Sequence, residues 1–157
     1  MMNAAQPRRT LANLLNTAVA LSGRNRCEIA READIHKDAL RRTLAGNRSP
    51  SVGEVLRILT SSGMAPHAHL VLFLVADGDQ ATRWLQTDIA QFYEDLVSEL
   101  PSALERVLGN QIHDVKPKWA KGTAHRIARM LAEHLDELER KDILLGEGSH
   151  GLGGRHD

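Results

Sequence analysis

Seven of the polar residues between positions 26 and 48 are candidates to bind a nucleic acid. Arginine and lysine donate hydrogen bonds to phosphate oxygens and to the O6 and N7 atoms of guanine, and an aspartate can accept one from the N4 amine of cytosine. The candidate binding residues are Arg26, Lys37, Asp38, Arg41, Arg42, Asn47 and Arg48. The chemistry that they predict is recognition through charge and hydrogen bonds, without covalent change.

Other reactive residues lack the spacing of a catalytic or metal site. His67 and His69 are two residues apart, which is a poor spacing for a metal pair on a helix. Cys27 is the only cysteine, so it can form neither an internal disulfide nor a zinc finger. No Ser-His-Asp, Cys-His or phosphate-loop arrangement is present. We therefore predict that the chain is not an enzyme and has no catalytic residue, metal site or cofactor.

Composition indicates a helical chain with two differently charged parts. Alanine and leucine provide most of the apolar residues, and only 3% of the 157 residues are aromatic. Residues 1–63 hold ten basic and five acidic residues, whereas residues 64–157 hold ten basic and fifteen acidic ones. The basic part suits a polyanionic partner, although charge alone is weak evidence because exposed charges are often unevenly distributed.

Neither a membrane segment nor a secretory signal is predicted. No run of about 18 apolar residues occurs, and the opening residues MMNAAQPRRT lack the apolar core of a signal peptide. We expect a cytoplasmic protein.

Four helices are predicted in the first 65 residues from apolar side chains that recur at three- and four-residue spacing. They cover residues 11–21, 27–33, 36–45 and 53–63. Leu40 and Leu44 should face the core, which leaves the charged residues of the third helix on its exposed side.

The second and third of these helices are joined by a predicted tight turn. Asn25 is a favourable N-cap, and Glu28 completes the spacing of a capping box. Ala30 is small enough for two helices to cross closely. Asp34 can adopt the left-handed backbone conformation that such a turn usually requires, and Ile35 should anchor the turn in the core.

This segment resembles the Cro/C1-type, or XRE-like, helix-turn-helix family of transcriptional regulators. The matching pattern is E-I-A-x-x-A-x-I-x-x-x-x-L at positions 28–40, followed by G-N-R-S-P-S at positions 46–51. The stretch LRRTLAGNRSPS is also similar to antidote proteins of toxin–antitoxin modules. The resemblance covers about residues 10–65. Asp34 departs from the frequent glycine of the turn, His36 from the frequent Ser or Thr cap, and Leu44 from a frequent acidic residue.

The resemblance implies a recognition helix at about residues 36–45 that enters the DNA major groove. By position, Lys37, Asp38 and Arg42 match base-reading residues of the family, and Arg26 matches a phosphate contact. Asp38 could instead serve only to stabilise the helix N-terminus. Arg41 suits either a base or a phosphate, and Asn47 and Arg48 suit the neighbouring phosphates.

The remaining sequence predicts further helices. A break at Gly63–Pro66 marks a domain boundary, and the apolar run 70–76 fits a buried helix or a buried strand, with a helix favoured. Further helices are predicted over residues 80–100, from Pro101 to Gly109 and over residues 118–142. The last carries a heptad-like stripe, formed by Ala124, Ala128, Leu131, Leu135 and Leu138.

The expected fold is all-α, with an N-terminal five-helix lambda-repressor-like helix-turn-helix domain and a C-terminal helical dimerisation region. The predicted parts are a flexible basic arm (1–9), the helix-turn-helix domain (10–65), a helical dimerisation or partner-binding domain (66–145) and a disordered tail (146–157).

The expected function is that of a sequence-specific regulator, a repressor that binds double-stranded DNA at a pseudo-palindromic operator as a homodimer. The alternative is an antitoxin-like protein whose C-terminal helices bind a toxin or a polymerase and whose DNA binding is autoregulatory.

Overall fold

The computed structural model describes residues 5–76 and 78–148, and every regular element in this part of the chain is helical. The all-α prediction is therefore confirmed. The helices are α1 (Ala5–Leu21), α2 (Arg26–Glu32), α3 (Lys37–Leu44), α4 (Val52–Ser61), α5 (Pro66–Val75), α6 (Gly78–Arg83), α7 (Asp88–Leu108) and α8 (Ala120–Gly148). Two short 3₁₀ helices, Gly109–Asp114 and Pro117–Trp119, lie between α7 and α8.

One hydrophobic core holds the first six helices together. Helices as short as α2 and α3 are not stable alone in water, so their apolar faces must be covered by neighbours. Most of the apolar residues that periodicity assigns to the inner faces of α1–α4 are buried, whereas Leu11 and Leu56 are half-buried. The largest fully buried apolar side chains are Leu14, Leu15, Ile29, Leu40, Ile58 and Leu59.

Helices α5 and α6 belong to this core as well. Contacts divide the chain between Arg106 and Val107, and not after residue 65 as the sequence suggested. Helix α5 packs on α4 and α6, and α6 packs on α1. Residues 70–75 of the apolar run are helical, as the sequence favoured, and Leu72 enters the same core as Leu14 and Leu15. The sequence pattern did not predict this long-range contact, and the predicted boundary therefore falls inside one unit of the structure.

A glycine permits the close packing of α6 against α1. A Cβ atom at Gly78 would lie 1.9 Å from Cγ2 of Thr10, so that either the Thr10 side chain or the helices would have to move. Gly78 is accordingly buried, as is Ala81 one turn later.

The beginning and end of the chain also differ from the sequence prediction. Helix α1 begins at Ala5, so the described part of the predicted basic arm is helical, with Arg8 and Arg9 exposed. Helix α8 extends to Gly148, so the first residues of the predicted tail are helical too. Residues 1–4 and 149–157, on which the rest of these two predictions falls, lie outside the described residues.

The predicted helix over residues 80–100 is interrupted. Residues 84–87 form a turn in which Gln86 has a φ of 56°, and the side chain of Gln86 donates a hydrogen bond of 2.7 Å to the carbonyl of Leu21. Helix α7 then continues past Pro101, where a separate helix was predicted to begin.

The first two turns of α7 attach this helix to the first of the two units, the one that ends at Arg106. The backbone N–H of Ala68, in the first turn of α5, donates a hydrogen bond of 2.8 Å to Glu94 of α7. The same carboxylate lies 2.6 Å from Nδ1 of His67. The rings of Trp84 and Tyr93 meet edge to face at 6.0 Å. Glu94 thereby acts as the cap that Ala65, the N-cap residue before α5, cannot provide.

His69 is a buried polar residue in this otherwise apolar region. Its Nδ1 lies 3.0 Å from the carbonyl oxygen of Ala81, its Nε2 has no hydrogen-bond partner, and the side chain is fully buried. Because a carbonyl only accepts, Nδ1 carries the proton. Burial lowers the pKa of His69, against weaker opposing effects from the Ala81 carbonyl and the Glu94 charge.

We expect the stability of the protein to fall as the pH is lowered from 7.5 to 5.5. Above the ordinary histidine pKa of about 6.5, His69 is neutral in both the folded and the unfolded chain. Below it the unfolded chain takes up a proton before the folded one does, which favours unfolding. Urea unfolding at several pH values should show a shallower dependence for His69→Gln than for the exposed control His125→Gln. Equal slopes for the two variants would contradict this role for His69.

The second unit, from Val107, consists in its described part of the two 3₁₀ helices and α8. Most residues of α8 are exposed. Leu131 of the heptad-like stripe and the neighbouring Ile127 are half-buried, and the other stripe residues are exposed.

Candidate nucleic-acid interface

The turn between α2 and α3 fixes the direction in which α3 leaves the core. Both hydrogen bonds of the predicted capping box at Asn25 and Glu28 are present. Asp34 has a φ of 50°, the left-handed conformation expected from its position. The backbone N–H of Ile35 then donates to the carbonyl of Ala30 at 2.9 Å, which closes the turn.

His36 caps the start of α3 in place of a hydroxyl residue. Its Nδ1 accepts a hydrogen bond of 3.3 Å from the backbone N–H of Asp38. An imidazole nitrogen therefore satisfies one of the N–H groups that the first turn of a helix leaves unpaired.

The inner face of α3 is fully occupied by the core. Leu40, Thr43 and Leu44 are each at most 3% exposed. At the C-terminal end of the helix, Nδ2 of Asn16 on α1 donates a hydrogen bond of 2.5 Å to the carbonyl of Leu44. These contacts hold α3 by one face and by its end, so the opposite face is presented outward in a defined orientation.

The outer face of α3 carries four of the predicted binding residues: Lys37, Asp38, Arg41 and Arg42, all exposed. Arg26, at the start of α2, lies beside them, because Arg26, Lys37, Asp38 and Arg41 line one shallow cleft together with Cys27. Arg41 and Asp38 are 3.4 Å apart, an exposed ion pair that contributes little to stability. We call the surface formed by Arg26, Lys37, Arg41 and Arg42 the basic face.

Two predicted binding residues lie away from the cleft, on the loop after α3. Asn47 is exposed, and its backbone N–H bonds to the carbonyl of Arg42. Arg48 is instead engaged within the protein, because its guanidinium donates to Glu54 at 2.8 Å and to Thr43 Oγ1 at 3.3 Å. The prediction of Arg48 as a phosphate ligand did not anticipate these partners.

Glu54 connects Arg48 to the beginning of α4. Its other carboxylate oxygen accepts a hydrogen bond of 2.8 Å from the backbone N–H of Ser51, and Ser51 Oγ accepts one from the N–H of Glu54. The hydrogen bond from Arg48 is the main cause that lowers the pKa of Glu54 below its usual 4.5, followed by the backbone bond from Ser51.

We expect Arg48→Ala to lower the free energy of unfolding by about 1–2 kcal/mol at pH 7, the range for a partly exposed, charge-assisted pair. Because the pKa of Glu54 is lowered in the folded chain, the pair stabilises above pH 4.5 and this contribution is lost as the pH falls through the carboxylate titration. Urea unfolding at pH 7 and pH 3.5 measures the difference, with the exposed Asn47→Ala as control. An unchanged stability at pH 7 would leave Arg48 free for phosphate binding.

Two arginines to which the sequence analysis gave no role, Arg24 and Arg57, stabilise the segments next to the turn between α2 and α3. Nε of Arg57 on α4 donates a hydrogen bond of 2.7 Å to the carbonyl of Ala33. Arg24 forms a bidentate pair with Glu32 and also donates to the carbonyl of Ser61 at 2.7 Å. The hydrogen bond from Arg24 lowers the pKa of Glu32. No local pattern could have revealed these contacts, because the carbonyls lie on helices distant in sequence.

Each ion pair around α3 removes one positive and one negative charge from the surface. Glu32 and Glu54 are neutralised by Arg24 and Arg48, whereas Arg26 and Lys37 have no ion-pair partner in the described chain. The exposed charge of the basic face is positive.

The described residues contain neither a metal-binding cluster nor a membrane-spanning helix. No cluster of three or more His, Cys, Asp and Glu side chains between residues 5 and 148, apart from the undescribed residue 77, could hold a metal ion. None of the described helices is both long and apolar enough to cross a membrane. Comparisons of the chain with protein-family models, curated proteins and solved structures found no match.

Proposed function

We propose that this protein is a sequence-specific DNA-binding transcriptional regulator, a repressor of the helix-turn-helix type, that binds a pseudo-palindromic operator as a homodimer. Helix α3 is its recognition helix. The basic face contacts DNA, and the surrounding core serves to hold α3 at a fixed angle to it.

The observation that carries this proposal is the division of α3 into two faces. On one face, Leu40, Thr43 and Leu44 are each at most 3% exposed. The other face exposes Lys37, Arg41 and Arg42. A helix that is eight residues long and anchored along one side fits the major groove, which admits a single α-helix. A rigid anchor matters because base recognition depends on donor positions that are fixed before binding.

Contacts within the complex follow from position along the two helices. Lys37 and Asp38, in the first turn of α3, are placed for base edges, with Arg42 one turn later. Arg26 is the exposed first residue of α2 and lines the cleft beside Lys37, where its guanidinium suits a phosphate. Arg41 and Asn47 are placed for the flanking backbone. A single module of this size makes few base contacts, which is why two copies are needed for a specific operator.

Selection from a pool of random duplexes with the purified full-length chain tests the proposal. We expect enrichment of a two-fold motif whose half-sites are centred about 10 base pairs apart. Binding to the selected duplex, measured by fluorescence anisotropy, should weaken steeply between 50 and 200 mM salt, as phosphate contacts require (roughly this range is diagnostic).

A charge-matched pair of variants provides the control. Arg41→Ala with Arg42→Ala should abolish enrichment, whereas Lys116→Ala with Lys118→Ala, which removes the same charge from the exposed segment before α8, should retain the motif. Absence of any motif with the unmodified chain, together with salt-insensitive binding, would refute DNA recognition.

A second candidate function is favoured by α7. Beyond the turns that contact α5, this helix exposes Val97, Leu100 and Leu104 along one side. Such a surface fits an antitoxin-like protein that binds a toxin or another protein partner and uses DNA binding for autoregulation. Coexpression with the product of the adjacent gene would test it. A complex of fixed stoichiometry that Leu100→Asp disrupts, and that Ser98→Asp does not, would favour this second function.

A further inference from the structure

Most of an apolar stripe along α8 is exposed. The stripe consists of the heptad-like residues together with Ile127, that is Ala124, Ile127, Ala128, Leu131, Leu135 and Leu138; Ile127 and Leu131 are half-buried, whereas Leu135 and Leu138 are 59% and 43% exposed. The helix has 29 residues, and helices in proteins gain most of their stability by packing an apolar side against a neighbour.

The stripe has an approximate two-fold pattern about Leu131. Four residues on either side of Leu131 are Ile127 and Leu135, both large, and seven residues on either side are Ala124 and Leu138, one small and one large. When two copies run antiparallel with their Leu131 residues opposed, each Ala124 faces a Leu138 and each Ile127 faces a Leu135. Near the axis the large side chains of Ile127, Leu131 and Leu135 then meet one another. Further out, the large Leu138 meets the small Ala124, which suits close packing.

The charged residues of α8 have opposite signs on the two sides of Leu131. Residues 120–132 hold three basic and no acidic residues, whereas residues 133–139 hold four acidic and no basic ones. Within one helix this order is unfavourable, because basic groups lie toward the positive end of the helix dipole and acidic groups toward the negative end. Antiparallel pairing places the basic half of one helix beside the acidic half of the other, and Arg129 level with Glu133.

We propose that α8 pairs antiparallel with α8 of a second copy of this chain, with Leu131 at the two-fold axis. In an isologous interface, if one residue contacts a second across the axis, the second also contacts the first, and a stripe with two-fold symmetry meets this requirement, whereas packing on a different helix does not need it. The apolar stripe stabilises the pair. The charges, which salt screens at the surface, select the antiparallel orientation over the parallel one.

This inference deepens the proposed function by naming the surface that joins the two DNA-binding units. The purpose of the dimer rests on the proposed function, whereas the pairing of α8 itself can be measured without DNA. Loss of DNA binding in a chain that still pairs through α8 would refute the function and leave the interface standing.

Cysteine crosslinking of the full-length chain tests the register. In a Cys27→Ser background, which removes the exposed native thiol, Leu131→Cys places two thiols at the axis within disulfide reach. We expect mild oxidation to convert this variant to a covalent dimer at least about tenfold faster than Ala124→Cys or Leu138→Cys alone, since only at the axis is the effective thiol concentration raised. The double variant Ala124→Cys with Leu138→Cys should also crosslink rapidly.

The double variant keeps Leu131 in place, so a folding defect of Leu131→Cys would leave the test intact. Equal crosslinking at 124, 131 and 138 would indicate a parallel pair and overturn the proposal. A chain that sediments as a monomer at 50 μM (about the upper range for a useful dimer) and crosslinks at none of these positions would overturn it too, as expected if α7 or another protein covers the stripe.

Discussion

Leu40→Ala should lower the free energy of unfolding by about 2–5 kcal/mol, the cost of truncating a fully buried leucine. Leu40 is 1% exposed and lies at the centre of the face by which α3 is attached. Its removal leaves a cavity between α3 and the core, and short helices around such a cavity have little independent stability with which to close it. Of the changes considered for this protein, it should affect stability most.

Tryptophan fluorescence can follow the unfolding of the unit that contains Leu40. Trp84 packs against the core that contains Leu40, whereas Trp119 is 52% exposed in the second unit. In a Trp119→Phe background, urea unfolding followed at Trp84 therefore monitors the first unit. Leu21→Ala is the matched control, because Leu21 is 46% exposed and its truncation should change stability by less than about 1 kcal/mol. A loss below that value for Leu40→Ala would mean that α3 is not anchored as described.

Local chemistry made the neighbourhood of α3 predictable from the sequence. Asn25 and Glu28 meet at a fixed spacing that specifies the start of a helix, and the structure contains both hydrogen bonds of that cap. Asp34 follows the last turn of α2 at a position that needs a left-handed backbone, and it has one. In each case the signal and the structure lie within a few residues, so no information about distant parts of the chain was required.

Predictions that depended on tertiary contacts were less successful. The apolar run 70–76 has no period that distinguishes a helix from a strand, and nothing local shows that Leu72 enters the N-terminal core. The domain boundary after residue 65 was misplaced for that reason. Arg48 looked available for a phosphate because its partner, Glu54, lies across a loop on the next helix.

Hydrogen bonding to other segments separates the structural arginines from the remaining candidates. Arg24, Arg48 and Arg57 each donate to a carboxylate or a carbonyl of another segment, so their charges hold the turn and the ends of α2 and α4. Arg26 and Arg42 have no such acceptor in the described chain and are exposed. A sequence pattern weighs all five arginines alike, and only the packed structure divides them into two groups.

Arg42→Ala should weaken binding to the selected operator by about 1–3 kcal/mol and relax the preference for one base in each half-site. Arg42 lies on the exposed face of α3, on the same helix as the buried Leu40, so its truncation should leave stability within about 0.5 kcal/mol of the unmodified chain. The loss would therefore reflect a lost donor to a base edge, which other donors at the interface cannot replace.

Two further variants separate a base contact from a general loss of charge. Arg26→Ala should weaken all duplexes alike and reduce the slope of log K against log salt by about one unit, as expected for a phosphate contact. Arg31→Ala removes an exposed charge from α2 outside the basic face and should have a smaller effect on both. If Arg42→Ala instead weakened selected and shuffled duplexes equally, Arg42 would be a phosphate ligand, and Lys37 and Asp38 in the first turn of α3 would remain to read the bases.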